Sequence, residues 1–408
     1  MKYIRIISRI LLGLVFIFSG FVKGIDPMGS VIKFSEYFEL WHLTWLSSFS
    51  LILSITLSVA EFLIGVSLLI GLRMRVTAWA TLLFMSFFFV LTLYIAIKNP
   101  VTDCGCFGDA FIITNWQTFY KNIVLIALAI FIFYSRNLYK PYSGMLAEWG
   151  LVVFFAAVGS GISVYCYNHL PIMDFRPYNI GTHIQSKMVM PPDVQADQYE
   201  STLIYEKNGV TKEFTINNFP DSTWKWKETK SKLVKKGYTP PIHGFSITTK
   251  ADEDITTAVL KDTSYSFVFV AQNASKVLPK QWLEILKYYH FAQEHGQKFY
   301  VLTSTPPSTA DQIKNNHKLA FDFCFTDETA LKTMIRANPG LVLLKDGIVI
   351  GMWHYNDFPK PDYFKGNILS TVITDYSKSI EWKRIFILSL GFMVVLVVLM
   401  GMMGMKRR

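Results

Sequence analysis

Asp103-Cys104-Gly105-Cys106-Phe107-Gly108 stands between two apolar runs, VTAWATLLFMSFFFVLTLYIAI at 76–97 and FYKNIVLIALAIFIFY at 119–134. Runs of this length and low charge predict membrane-crossing helices, because about 17–25 apolar residues span a bilayer and a helix satisfies its own backbone there. The hydrophilic loop between them carries two of the chain's four cysteines, one residue apart. Thiols at a membrane surface are placed to pass electrons between a membrane-dissolved carrier and a protein partner. A static disulfide, or a pair of idle thiols, is the other reading of so short a Cys spacing.

Outward from this loop the same pattern recurs. Segments 6–22, 49–72, 76–97, 112–134, 149–167 and 385–405 all read as spans, the fourth with a polar start at Asn115, Gln117, Lys121 and Asn122. Only 17% of the 408 residues are charged, against about 25% in a soluble domain. The deficit lies in 1–170 and 384–405, while 171–383 has an ordinary soluble composition. The net charge of +10 does not point to nucleic acid. Lys2, Arg5, Arg9, Arg73, Arg75, Arg136, Lys140, Lys406, Arg407 and Arg408 all flank apolar spans, as the positive-inside rule distributes them, and no aromatic-interleaved basic patch accompanies them.

These flanks predict a bacterial cytoplasmic-membrane protein with both termini in the cytoplasm. The loop 24–48, the Cys loop and the large domain 171–381 then face the oxidising exterior, where disulfide chemistry is permitted. Lys383 and Arg384 fall on that side, but long translocated domains largely escape the rule. The first span reads as an uncleaved anchor, longer than a signal peptide and without a small-residue cleavage site. Within the second span, Glu61 is an ionisable residue at membrane depth, which is costly unless paired or facing a cavity. Lys23, at the outer end of the first span, is its candidate partner. Gly65 and Gly71 would allow close helix approach.

The large domain divides in two. Residues 171–239 read as linker plus a small β-rich piece, with a hairpin of 200–205 and 211–216 across Lys207-Asn208-Gly209. From Tyr265 the pattern alternates regularly: strand 265–271, helix 278–294, strand 298–304, helix 309–318, an extended run 321–325, helix 327–337, strand 341–345, then a hairpin over Asp346-Gly347 into 348–355. This order, with Pro339 just before the hairpin, resembles the thioredoxin fold over residues 240–370. The resemblance implies a cis bond at Asn338–Pro339 and a client groove beside it. The position of the redox Cys-x-x-Cys reads Gln272-Asn273-Ala274-Ser275. Without an attacking thiolate the usual dithiol cycle is closed to this domain, which makes it a binding or docking module. Cys324 and Cys166 read as packing residues, with Cys166 the candidate resolving thiol near the outer end of the fifth span.

The first four spans resemble the DoxX/MauE group of four-helix membrane proteins. The resemblance rests on Arg9, Gly13, Gly20 and Lys23, on Glu61-x-x-x-Gly65 and Gly71, and on the Cys-Gly-Cys-Phe-Gly loop. It implies a redox setting: MauE-type proteins are associated with maturation of a disulfide-rich periplasmic enzyme beside a thioredoxin-like partner, and DoxX-type proteins with sulfur-compound or quinone redox.

The expectation is an α-helical multi-pass membrane protein with an α/β thioredoxin-like domain. Its units are a DoxX/MauE-like four-helix domain (1–140), a fifth helix (141–170), the linker and β-rich region (171–239), the thioredoxin-like domain (240–370), and a sixth helix with basic tail (384–408). Cys104 and Cys106 are the expected catalytic thiols, Glu61 and Lys23 an intramembrane polar site or proton relay, and Asn338 and Pro339 a client groove. A quinone is the candidate electron carrier and an envelope protein the candidate client. Asp103 and Asp109 would raise the thiol pKa by like-charge repulsion. The competing reading is a non-enzymatic scaffold with a structural Cys pair. A metal site has little support, since only His42 is conceivable as a further ligand.

Overall fold

The computed structural model describes residues 2–406 except 102, 142, 192, 196–197, 208–209, 216–220, 222 and 236. The apolar runs form α1 (Lys2–Ile25), α3 (Ser50–Ile70), α4 (Met74–Lys98), α5 (Asn115–Tyr134) and α6 (Met145–Asn168), with α2 (Pro27–Leu40) lying between α1 and α3. Five helices among the described residues are long and apolar enough to cross a membrane: Tyr3–Ile25, Thr44–Ile70, Met74–Lys98, Asn115–Tyr134 and Met145–Asn168. The polar start of the fourth expected span is a helix cap. Thr114 Oγ1 accepts from Gln117 N at 3.3 Å and Gln117 Oε1 accepts from Thr114 N at 2.9 Å, a capping box that satisfies two end donors.

Small residues set the bundle. A Cβ on Gly20 would lie 2.5 Å from Phe62 N and 2.7 Å from Ser58 O, and one on Gly65 would lie 2.5 Å from Ile17 N. Helices α1 and α3 therefore touch backbone to backbone, the device that packs helices where lipid removes the hydrophobic drive. Gly71, expected to share this role, instead ends α3 in the left-handed region at φ +89°, a C-cap conformation that favours glycine.

The loop expected at 24–48 holds α2, opened by Asp26 and Pro27. Asp26 Oδ1 accepts from Gly29 N at 2.9 Å, an N-cap followed by proline at the first helical position.

Beyond α6, the short helix α7 (Ile184–Met188) leads to β1 (Gln198–Lys207), β2 (Val210–Thr215) and β3 (Lys225–Lys235). These form an antiparallel sheet in the order β2-β1-β3. The expected hairpin is β1–β2, with its turn at 208–209 outside the described residues; β3 joins it as a third strand whose lysine-rich sequence hides the alternation.

The main sheet follows α8 (Thr256–Leu260). Its elements are β4 (Tyr265–Val270), α9 (Pro279–Glu294), β5 (Lys298–Thr303), α10 (Pro307–His317), β6 (Phe323–Phe325), α11 (Glu328–Met334), β7 (Gly340–Lys345) and β8 (Ile348–His354). The strand order is β6-β5-β4-β7-β8, with β4, β5 and β6 parallel and β7, β8 antiparallel. Apolar side chains cover both faces. Phe267 and Phe269 pack with Trp282, Ile285 and Tyr288 of α9, while Val268 and Val270 pack with Leu331 and Met334 of α11.

Residues 171–191, read as linker, belong to this core. Tyr178 and Ile184 are buried in the second cluster. Gly181 N donates to Val349 O at 2.8 Å and Val349 N to Thr182 O at 2.9 Å, so the segment covers an edge of β8 that would otherwise stand open. The chain closes in α12 (Ile368–Lys406). Its first turns add Ile368 and Val372 to the core. The same helix continues into the sixth expected span, where most side chains lie outside the described residues.

Replacing Gly20 by leucine should push α1 off α3 and cost about 1–3 kcal/mol as overpacking. Denaturant unfolding of the purified protein in detergent reads this directly, with Gly161→Leu as control, because a Cβ there meets nothing within 4 Å.

Candidate functional site

The Cys loop closes on itself and is pinned from two helices. Gly105 N donates to Asp103 Oδ1 at 2.9 Å, and Gly105 takes φ +68°, a conformation glycine adopts without steric cost. The Cys106 carbonyl accepts from Ser19 Oγ of α1 at 2.8 Å, and the Cys104 carbonyl from Tyr37 OH of α2 at 3.3 Å. The two sulfurs stand 3.1 Å apart, and all four cysteines of the chain are free thiols.

Beneath the loop, Lys23 Nζ donates to Glu61 Oε1 at 2.6 Å and to Ser19 Oγ at 3.2 Å. Both charged side chains are almost wholly buried, at 7% and 3% exposure. The result is a hydrogen-bonded chain from the Glu61 carboxylate through Lys23 and Ser19 to the Cys106 carbonyl. Glu61 Oε2 is buried without a hydrogen-bond partner. A cavity of about 40 Å³ is lined by Glu61, Lys23, Ser19, Cys106, Lys121 and Asn122, above the roughly 10–15 Å³ of such volume that a water needs. Lys121 Nζ lies 4.3 Å from the Phe107 ring centre.

Above the loop stands the α/β domain. Arg336, just past α11, is buried; its guanidinium meets Asp26 Oδ2 at 3.0 Å and Asp109 Oδ2 at 2.8 Å. Arg176 Nη1 donates to Met334 O at 3.2 Å while its Nε and Nη2 hold Asp174 at 2.7 Å, so α11 is fastened at its C-terminal end. Lys33 of α2 meets Asp103 at 3.2 Å and Glu36 at 3.0 Å. A larger cavity of about 610 Å³ runs between α2, α3, α4, the Cys loop and α11, and both Cys104 and Cys106 line it.

The electrostatics separate the two thiols. The hydrogen bond from Cys104 holds the Cys106 thiol down to about 6; burial opposes this, and the Lys121 and Lys23 ammonium groups assist it. The Cys104 thiol is pushed well up by the same hydrogen bond and by burial. A single shared proton makes one sulfur a thiolate and the other its donor. Burial, and then the charge of the two thiols, pushes the Tyr37 phenol up, so it remains a donor. The repulsion expected from Asp103 and Asp109 is offset, because each carboxylate is paired with a cation, Lys33 or Arg336.

Of the residues singled out from sequence, the structure brings Cys104, Cys106, Lys23 and Glu61 together. Asn338 and Pro339 lie two and three residues past Arg336 but line neither cavity. Their peptide bond is cis, Pro339 is buried, and Asn338 exchanges hydrogen bonds with the Asn273 backbone at 3.2 and 3.0 Å. Cys166 is buried on α6, and Cys324 pairs across from Leu302 in the β5–β6 ladder. Sequence reasoning passed over Asp26, Tyr37, Lys121 and Arg336. Asp26-Pro27 was readable as a helix start; Arg336 meets partners 310 and 227 positions away, with no local signal.

Residues 1–135 match the family described as Methylamine utilisation protein MauE, a region that holds α1–α5 and the Cys loop. The chain is thus a MauE-like multi-pass membrane protein over that part. Residues 199–236 match a Domain of unknown function (DUF8463), which coincides with the three-stranded sheet. No curated protein and no solved structure matches the chain.

Two outcomes follow from this geometry. Lys23→Met leaves Glu61 buried and unpaired and should cost about 3–5 kcal/mol, while Lys23→Met with Glu61→Leu should recover most of the loss; denaturant unfolding in detergent compares them. Alkylation of the reduced protein, followed residue by residue by mass spectrometry, should show Cys106 labelling rise through about pH 6 and level off. Cys104 should lag far into the alkaline range.

Proposed function

We propose that the chain is a thiol–disulfide redox protein of the bacterial cytoplasmic membrane, with Cys104 and Cys106 cycling between dithiol and disulfide at the outer face. The observation that carries this reading is the sulfur pair, 3.1 Å apart, lining a cavity bounded by membrane helices on one side and by α11 of the α/β domain on the other. The sidedness, with both termini cytoplasmic, is supported by the lysines and arginines that flank the spans.

In the exchange step the Cys106 thiolate attacks a client disulfide, releasing one client thiolate and forming a mixed disulfide. The Cys104 thiol then loses its proton and displaces the second client sulfur. The products are a Cys104–Cys106 disulfide and a reduced client, and the reverse sequence oxidises the client. Turnover requires a second partner for two electrons and two protons, and a quinone–quinol couple supplies both. The protein's own groups hold and move the protons: Lys121 and Lys23 favour the thiolate, while Glu61, beside Cys106 across the small cavity, is the relay. A Cys-x-Cys disulfide closes a very small ring, which makes it readily reducible.

The α/β domain is read as thioredoxin-like over residues 240–370, on its strand order and on Pro339 immediately before β7. Gln272-Asn273-Ala274-Ser275 after β4 supplies no thiol, so its role is to present an envelope client, with Asn338 and Pro339 as the groove. The same missing thiols, with the Arg336 clamp, favour the second reading of a scaffold whose Cys pair is structural.

Thiol trapping in membranes with an alkylating mass tag separates the two. The redox reading expects a reductant-dependent shift in wild type, a mixed disulfide that accumulates in Cys104→Ser, and none in Cys106→Ser. Thiols that stay reduced in an oxidising compartment, or a disulfide inert to graded reductant, would leave the scaffold.

A further inference from the structure

The end of the bundle opposite the Cys loop carries charge that the chain itself does not balance. Residues 2–10, 71–76 and 135–148 hold three, two and two lysines or arginines, and Glu148 is their one carboxylate. Glu148 accepts from Arg73 N at 3.2 Å and from Ser143 N at 3.1 Å, which commits it to backbone donors. On α1, Arg5 and Arg9 stand four residues apart, a helix spacing at which like charges are neighbours and repel. Both nevertheless converge on one ring. Their guanidinium carbons lie 6.0 and 5.8 Å from the ring centre of Tyr139, in the segment after α5. Arg9 Nη2 also donates to Leu69 O near the end of α3 at 3.4 Å. It fits there because position 71 has no side chain: a Cβ on Gly71 would lie 2.9 Å from Arg9 Nη1. Arg9 Nε and Tyr139 OH remain buried without a hydrogen-bond partner among the described residues. Buried donors are as a rule satisfied, and two that meet beside two positive charges call for an acceptor that is itself an anion.

We infer that Arg5, Arg9 and Tyr139 form a binding site for the phosphate of an anionic phospholipid. A phosphate brings negative charge and several acceptor oxygens, and a guanidinium fork meets two of them at once. Position favours a lipid over a free anion. The site lies at the ends of α1 and α5, both long and apolar enough to cross a membrane, at the level where headgroups meet basic pockets between helices. Ile6 and Ile10, each next in sequence to one of the arginines, are 38% and 42% exposed and give acyl chains an apolar wall. The bound phosphate relieves the repulsion between Arg5 and Arg9. It also ties the start of α1 to the segment after α5, at the far end of the helix that carries Ser19 and Lys23.

The test is native mass spectrometry of the full chain, delipidated in a neutral detergent and titrated with phosphatidylglycerol or with phosphatidylcholine, each with and without inorganic phosphate. The expected result is one phosphatidylglycerol held about ten-fold more tightly than phosphatidylcholine and not displaced by millimolar phosphate. Arg5→Gln removes one charge without touching the Leu69 contact, and Tyr139→Phe removes one hydroxyl while keeping the ring. Each should weaken that binding about ten-fold, the loss of a hydrogen bond to a charged group. Arg75→Gln removes an exposed charge at the same end and should change it less than about two-fold. Equal binding of phosphatidylcholine, or displacement by inorganic phosphate, overturns the anionic lipid as ligand. Unchanged binding in Arg5→Gln and Tyr139→Phe, or an equal loss in Arg75→Gln, overturns the site and leaves only a diffuse surface charge. The wild-type titrations decide the ligand whether or not a variant folds.

Discussion

The ion pair between Lys23 and Glu61 is the constraint from which the rest of the membrane part follows. Two opposite charges inside a bundle are tolerable only in direct contact, and contact at 2.6 Å requires α1 and α3 to lie very close. Gly20 and Gly65 supply that closeness by removing the side chains that would stand between the backbones. Once α1 is fixed on α3, Ser19 stands one helical turn before Lys23, accepts a hydrogen bond from the Lys23 ammonium, and donates its own hydroxyl to the Cys106 carbonyl. The position of the Cys loop is thus set by a buried charge, and the loop is short enough to have little freedom left.

Arg336 plays the corresponding part between the two halves of the molecule. It is a buried cation whose charge is balanced by Asp26 at the start of α2 and Asp109 at the end of the Cys loop. Burial works against the charged form, yet the two carboxylates outweigh it and hold the guanidinium above its ordinary value. A planar fork that meets two carboxylates fixes orientation as well as distance. The consequence for the thiols is that Asp109 is turned toward the α/β domain and spends its charge there. A carboxylate that sequence spacing alone sets against a thiolate is thereby removed from the account, and the hydrogen bond from Cys104, assisted by the ammonium groups of Lys121 and Lys23, sets the character of Cys106.

The sequence made the membrane helices legible because length, apolarity and flanking charge are local properties. The Asp346-Gly347 hairpin was legible for the same reason: both residues take positive φ, at 50° and 67°, in the turn type this dipeptide favours. Lys23 and Glu61 were recognisable as a pair because each is anomalous in its own segment. Arg336 was not, since an arginine after a short helix in a charged domain carries no anomaly; only the fold brings it to Asp26 and Asp109. Residues 171–191 were obscured in the opposite way. Their polar composition reads as linker, but two buried side chains, Tyr178 and Ile184, and a few backbone bonds to β8 suffice to make them part of the sheet's edge.

In the proposed function, one chain that joins a thiol-bearing membrane bundle to an α/β domain without thiols at Gln272–Ser275 divides what a redox exchange needs. Proximity converts a bimolecular encounter into an intramolecular one, and its benefit depends on the two parts keeping a fixed geometry. Here that geometry is held from three directions: α6 leads into the domain, α12 leaves it as one continuous helix from the sheet, and Arg336 fastens it at the Cys loop. A second dithiol in the domain would compete with any client for the Cys104–Cys106 pair at the very high effective concentration such tethering creates. Its absence from the β4 turn therefore fits the proposed function, in which the domain holds a partner in place and electron exchange is confined to the sulfurs at the membrane.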